Sequence, residues 1–183
     1  EAGAEVVTAC ADVSNEEEVR RVLNTIKTSM PPLRGIVHAA GILDDSTVLK
    51  QSLERIRSVM APKAGAWYLH ALTTDASLDF FVLFSSVAST LGSPGQSNYA
   101  AANAFLDALV YHRKAHGLPA LAINWGPWSE VGLAAVDRGR GQRLADLGLG
   151  SLTPAQGIGV FEQLLRHKAD QISVMPFDPG RWC

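Results

Sequence analysis

Cysteine is nearly absent from this chain: two in 183 residues, Cys10 and Cys183, at opposite ends and without metal-ligand spacing. That excludes a disulfide framework and a cysteine-built zinc site, and makes a reducing, cytoplasmic setting the expectation. Long apolar runs are lacking too. None approaches the roughly 20 residues a membrane-spanning helix requires, and no charged-then-apolar signal segment opens the chain. Neither sign of charge is in excess: 16 Lys and Arg against 18 Asp and Glu leave −2 at pH 7. Such a balance gives no electrostatic footprint for nucleic acid or an anionic membrane. Internal repeats and low-complexity stretches are also absent. What remains is a globular composition, 47% hydrophobic and 19% charged, sized for a single domain over 1–183 with a substantial core.

Hydrophobic periodicity switches repeatedly between strand and helix. Glu5–Ala11, rich in β-branched residues, reads as a strand ending at Asp12. Ser14 and Glu17 fit a capping box for a helix with Val19, Val22, Leu23 and Ile26 on one face. Gly35–His38 reads as a short buried strand, followed by the small-residue turn Ala39-Ala40-Gly41. Leu49 to about Leu72 reads as a helix broken near Pro62. Leu78–Ser85 is an almost continuous apolar run, as in a parallel strand covered on both faces. A turn at Gly92–Gly95 leads into a long helix from about Ser97 to His116, stopped by Gly117 and Pro119. Ala120–Asn124 is the next buried strand, and the loop Trp125-Gly126-Pro127-Trp128 follows it. Helical patterns at about Val131–Leu147 and Pro154–Arg166 precede a last strand at Ile172–Met175. Strands alternating with helices of this length imply a doubly wound α/β domain with a parallel sheet, whose ligands sit beyond the carboxyl ends of the strands.

Ser85 and Ser86 close the Leu78–Ser85 strand, and Asn98-Tyr99-Ala-Ala-Ala-Asn103 opens the long helix. Tyr99 and Asn103, four apart, share one helix face, and Lys63 stands on the preceding helix. Serine, tyrosine, lysine and asparagine can thus converge at one sheet edge. Carbonyl reduction needs such a set. Hydride arriving at a ketone carbon leaves negative charge on oxygen, which needs a hydrogen-bond donor and then a proton. The hydride must come from a cofactor, since no side chain carries one. Taken singly the same residues have plainer readings: a strand-end turn for the serines, a packed Tyr99, a solvated Lys63, and helix caps for Asp12 and for Asp44-Asp45. His112 and His116 lack the glutamate of a zincin pattern and read as a solvated helix face, so no metal site is expected. Neither serine lies in a Gly-x-Ser-x-Gly elbow, which argues against a hydrolase.

Taken jointly, these spacings resemble the ketoreductase domain of modular polyketide synthases, a branch of the short-chain dehydrogenase/reductase superfamily. Ser86 stands thirteen residues before Tyr99, Asn103 four after it, and Lys63 on the earlier helix. Most of that superfamily has Tyr-x-x-x-Lys; the polyketide branch places asparagine there and takes its lysine from the preceding helix, as here. His38-Ala-Ala-Gly41, Val82-Leu-Phe-Ser-Ser86 and Asn124-Trp-Gly-Pro-Trp128 agree as well. The resemblance implies a Rossmann-like fold and NADPH-dependent reduction of a β-ketoacyl thioester carried on an acyl carrier protein, among other synthase domains. It implies Tyr99 as proton donor, Ser86 as donor to the ketone oxygen, Lys63 as the cation that eases proton release and binds the nicotinamide ribose, and Asn103 as support for a water relay. Asp12 and Val13 are implied beside the adenine, and Ala39, Ala40, Gly41 and Trp125-Gly126-Pro127 along the cofactor cleft. A lid over the substrate is implied at about 131–150. Leu43-Asp44-Asp45 matches the Leu-Asp-Asp signature of B-type enzymes, and Leu91 stands where A-type enzymes carry tryptophan, so the implied product is the 3R (D) alcohol. Ala101 replaces a proline often seen with epimerised α-methyl substrates.

Family members begin with a strand and a Gly-rich turn that receives the cofactor pyrophosphate. No such turn is present here; Gly139-Arg-Gly141 follows no strand. The expectation is therefore an N-terminally incomplete domain, a piece of a larger polypeptide whose missing half is either on another chain or lost from the sequence shown. The alternative is a non-catalytic structural half-domain of a synthase, inert without the cofactor-binding part.

Overall fold

The computed structural model describes residues 3–131 and 148–181. The helix expected at about 131–147, with most of the implied lid, lies outside the described residues. Four parallel strands form one sheet in the order β1-β2-β3-β4: β1 (Gly35–His38), β2 (Phe80–Ser86), β3 (Leu121–Trp125) and β4 (Gln171–Val174). Each successive pair is joined through helix: α2 (Leu53–Ala71) between β1 and β2, α4 (Ser97–Ala115) between β2 and β3, and α5 (Pro154–Leu164) between β3 and β4. A first helix, α1 (Glu16–Ser29), precedes the sheet, and a single turn, α3 (Ala88–Leu91), follows β2. The register pairs Val37 with Val82, Phe84 with Ile123, and Ile123 with Ile172, so all four carboxyl ends reach one edge.

Side chains alternate across a strand, and that alternation divides the core. Ile36, Phe81, Leu83 and Ala122 face Ala66 of α2 and Leu106, Leu109 and Val110 of α4. Val82, Leu121, Ile123 and Trp125 face the other way, onto Leu152, Phe161 and Leu164. With both faces covered, β2 carries apolar residues at consecutive positions, which explains its uninterrupted run.

Three expectations are corrected by the structure. Glu5–Ala11 is extended but forms no strand; Val6 and Val7 are 81% and 60% exposed. β-branched residues favour a strand only where a neighbouring strand supplies the ladder, and none of the described strands pairs with this segment. The helix α1 is capped by Asn15 rather than Ser14: Asn15 Oδ1 accepts the N–H groups of Glu17 and Glu18 at 3.0 and 3.4 Å. The Ser14 hydroxyl instead donates to Asp12 at 2.7 Å. Finally, α2 runs through Pro62 unbroken, after a separate 3-10 turn at Val48–Lys50. Proline removes one rung of the helix ladder. The rung is outweighed by the buried stripe that α2 lays against the core: Val59, Lys63, Ala66 and His70, at three- and four-residue intervals.

Candidate active site

An open cleft lies at the carboxyl edge of the sheet. One wall comes from the end of β1, with Ala39, Gly41 and Leu43; Lys63 reaches it from α2, Ser85 and Ser86 from β2, and Tyr99 from the start of α4. Trp125-Gly126-Pro127 beyond β3 form the opposite wall. Val131 and Leu149, on either side of the 132–147 segment, also line it.

Lys63 occupies a position in the α2 stripe where an aliphatic residue would ordinarily pack. It is 4% exposed, and its ammonium donates to the Phe84 carbonyl at 2.8 Å. An ammonium has three donors, so two remain for the cleft. Burial pushes its pKa down to about 8, opposed by the negative charge of Asp107. Gly41 makes room for it: a Cβ there would stand 3.0 Å from Lys63 Cε. His38, buried at the end of β1, is pushed down to about 4 by burial and then by the Lys63 charge, partly offset by a hydrogen bond with the Pro62 backbone. It is therefore neutral at physiological pH.

Ser86 Oγ accepts the Ala88 N–H at 3.2 Å, which leaves its own proton for the cleft. Behind it lies a network that sequence reasoning missed. The buried carboxylate of Asp107 accepts from Ser89 Oγ at 2.6 Å and from Asn124 Nδ2 at 3.0 and 3.1 Å. Ser89 Oγ and Asn124 Nδ2 both also reach the Ser86 carbonyl, at 2.8 and 3.3 Å. Asn124 Nδ2 further donates to Ser85 Oγ at 3.1 Å, and Ser85 Oγ donates to the Asn103 carbonyl at 3.3 Å. A signal was available: Asp107 follows Asn103 by four and Tyr99 by eight, which places a carboxylate on the buried face of α4.

Asn103 is fully buried; its Nδ2 donates to the Tyr99 carbonyl at 2.8 Å, and its Oδ1 has no protein partner. The start of α4 is held from a distance. Gln96 at the N-cap position makes no cap with its side chain and donates instead to the Asp45 carboxylate at 3.1 Å. Asn98 Nδ2 donates to the Asp44 carbonyl at 2.9 Å, and the Ser46 N–H to the Gly95 carbonyl at 2.8 Å. Asp44 itself is paired with Arg55 at 2.6 Å.

Of the residues singled out from sequence, Tyr99, Ser86, Lys63, Ala39, Gly41, Leu43, Trp125, Gly126 and Pro127 line the cleft. Ala40, Asp44, Asp45 and Asn103 are not among its lining residues. Asp12 and Val13 do not reach it. Asp12 is exposed, its carboxyl held below the usual range by Ser14, and Val13 packs on the α2 side, where a Cβ on Gly65 would meet its carbonyl at 2.4 Å. Those two positions are set by the chain before α1, which has no sheet neighbour among the described residues.

A parallel sheet with helical crossovers and a cleft at its carboxyl edge defines a doubly wound α/β protein. The KR domain family model matches residues 1–130. The chain belongs to that family, the ketoreductase domains of polyketide synthases. It is 43% identical over 168 residues, 90% of its length, to phenolphthiocerol synthesis polyketide synthase type I Pks15/1 of Mycobacterium marinum. It is 40% identical over 184 aligned positions, 98% of its length, to the phthioceranic/hydroxyphthioceranic acid synthase of Mycobacterium tuberculosis. The chain spans only 8% and 9% of those proteins. Among solved structures, an A-type ketoreductase from a modular polyketide synthase superposes with a TM-score of 0.91 at 37% identity, over 98% of this chain and 38% of that one. The first ketoreductase of the tylosin synthase gives 0.84 at 38%, over 98% and 39%.

Proposed function

We propose that this chain delivers the proton in the NADPH-dependent reduction of a β-ketoacyl thioester presented by an acyl carrier protein, within a cytoplasmic polyketide synthase. The observation that carries this reading is the arrival of Ser86, Tyr99 and Lys63, from β2, α4 and α2, in a single cleft at the carboxyl edge of the sheet. The residues fit a nicotinamide cofactor. Lys63 keeps two donors for ribose hydroxyls, and Gly126 lets the wall beyond β3 close against the end of β4, since a Cβ there would stand 2.6 Å from Met175 Cβ. When bound, NADPH supplies the hydride.

The protein's own part is orientation and proton delivery. Ser86, with one lone pair engaged by the Ala88 N–H, donates to the ketone oxygen and fixes its direction. Tyr99 gives its hydroxyl proton to that oxygen as negative charge builds there. The Lys63 ammonium favours the phenolate left behind. Asn103 Oδ1, buried without a protein partner, is the acceptor that a relay water would use to restore the proton. The Leu43-Asp44-Asp45 loop supports the B-type assignment and a 3R product, although the solved relative above is named A-type. It holds the segment before Tyr99 while Leu43 itself lines the cleft.

Tyr99→Phe tests this reading. In the holoenzyme, with a β-ketoacyl thioester and cofactor oxidation followed by absorbance, turnover should fall at least about 100-fold while cofactor affinity is retained. Full turnover in the variant would remove Tyr99 from its role, whereas no turnover in the wild-type holoenzyme would leave a non-catalytic synthase element as the better account.

A further inference from the structure

Asp107 is buried, lines no part of the cleft, and has no role in the chemistry just described. Its carboxylate nevertheless reaches the site twice. One arm runs through Ser89 Oγ, which gives its single proton to Asp107 at 2.6 Å and accepts from Asn124 Nδ2 at 2.8 Å. The other runs through Asn124 Nδ2, which contacts Asp107, the Ser86 carbonyl and Ser85 Oγ. The two arms meet at Asn124, whose amide reaches the backbone carbonyl of Ser86 at 3.3 Å. A carboxylate is acceptor-only, so it fixes the direction of every donor around it. An apolar residue at 107 would remove the acceptor that Ser89 Oγ meets at 2.6 Å and Asn124 Nδ2 meets at 3.0 and 3.1 Å.

The negative charge of Asp107 also favours the cation of Lys63, the buried charge of the cleft. Around Lys63, the groups that could balance or oppose its charge are few among the described residues. His38 on β1 is neutral through burial, Tyr99 on α4 shares the cleft, and Asp107 on α4 carries the opposite charge. We propose that Asp107 is a positioning residue of the reductase: through Ser89 and Asn124 it holds the backbone of Ser86 in place, with its negative charge behind the cleft, while Tyr99 acts.

This inference rests on the site assignment above and adds a residue to it. Charge balance gives the direction of the pH effect. Burial disfavours the Lys63 cation and Asp107 favours it, so removing the negative charge lets the proton leave at lower pH. If turnover needs the cation, the alkaline limb of kcat/KM against pH moves down.

The experiment compares wild type, Tyr99→Phe and Asp107→Asn in the holoenzyme, with folding followed by circular dichroism. Asp107→Asn should bind cofactor normally, lose roughly tenfold in kcat, and shift the alkaline limb to lower pH by roughly one unit. An unmoved limb in a folded Asp107→Asn, with Tyr99→Phe inactive, overturns the proposal and spares the site assignment. A fully active Tyr99→Phe overturns both. If Asp107→Asn does not fold, Ser89→Ala takes its place. It keeps the carboxylate but deletes its shortest donor and one of the acceptors that hold the Asn124 amide, so kcat should drop several-fold with KM and the alkaline limb in place. Unchanged kcat in that variant overturns the proposal.

Discussion

Lys63 and Arg113 are both buried cations on helices that pack against the sheet, and each stands beside an imidazole. Arg113 is fully buried near the end of α4. Its guanidinium lies 3.8 Å above the Phe81 ring, donates to the Pro119 carbonyl at 3.1 Å, and meets His70 Nδ1 at 3.1 Å. Burial pushes its pKa down to about 10, and its charge helps burial to lower that of His70. Lys63 has the corresponding neighbour in His38. The two sites differ in what the remaining donors meet. Arg113 is enclosed by ring, carbonyl and imidazole, its Nη2 buried without a hydrogen-bond partner, and it ties α4 to the approach of β3. Lys63 spends one donor on the Phe84 carbonyl and opens the others to a cleft, with a carboxylate behind it. A buried charge facing a cavity is the kind associated with function; one sealed by packing maintains shape.

Substitutions separate the two. Lys63→Met should lower turnover by roughly 100-fold or more in a folded enzyme, as expected when proton transfer loses its supporting cation. Retention of half the wild-type rate would erase the distinction. Arg113→Ala should do the reverse. It removes the packing over Phe81 and leaves the Pro119 carbonyl unsatisfied, costing about 3 kcal/mol in denaturant unfolding while the folded fraction keeps its turnover. A comparable loss of specific activity would make Arg113 part of the site. The imidazole beside Lys63 gives the smaller effect. His38 is held neutral, with a folded pKa of about 4 against 6.5. Its contribution to stability is therefore complete above pH 6.5 and is lost as the pH falls through about 4, on the order of 3 kcal/mol in all. His38→Gln should flatten that part of the stability curve, read by melting between neutral and acid pH.

Much of the architecture was legible because it rests on burial. The apolar run of β2 and the stripe of α4 have to be where they are if both faces of the sheet are covered. The features that misled were those whose partners decide the outcome. Glu5–Ala11 has the composition of a strand and no ladder to join. Ser14 and Asn15 are both competent caps, and the choice fell to Asn15 because Asp12 engages the Ser14 hydroxyl. Pro62 marks a break only if nothing buried lies beyond it. In the site, Tyr99, Ser86 and Lys63 could be picked out by spacing, since each reaches the cleft directly. Asp107 could not be found by looking at strand ends, because its influence travels through Ser89 and Asn124, residues from two other elements.

The clasp between the 44–46 loop and the start of α4 has a consequence for anyone exchanging parts between synthases. Gln96 meets Asp45 across 51 positions of sequence, and Asn98 meets Asp44 across 54. Neither helix start nor loop is finished without the other, so they are inherited as a single component written in two places. A graft of Leu43-Asp44-Asp45 alone transplants half a joint. The recipient's own residues at the two matching positions decide whether Tyr99 arrives where the borrowed loop intends.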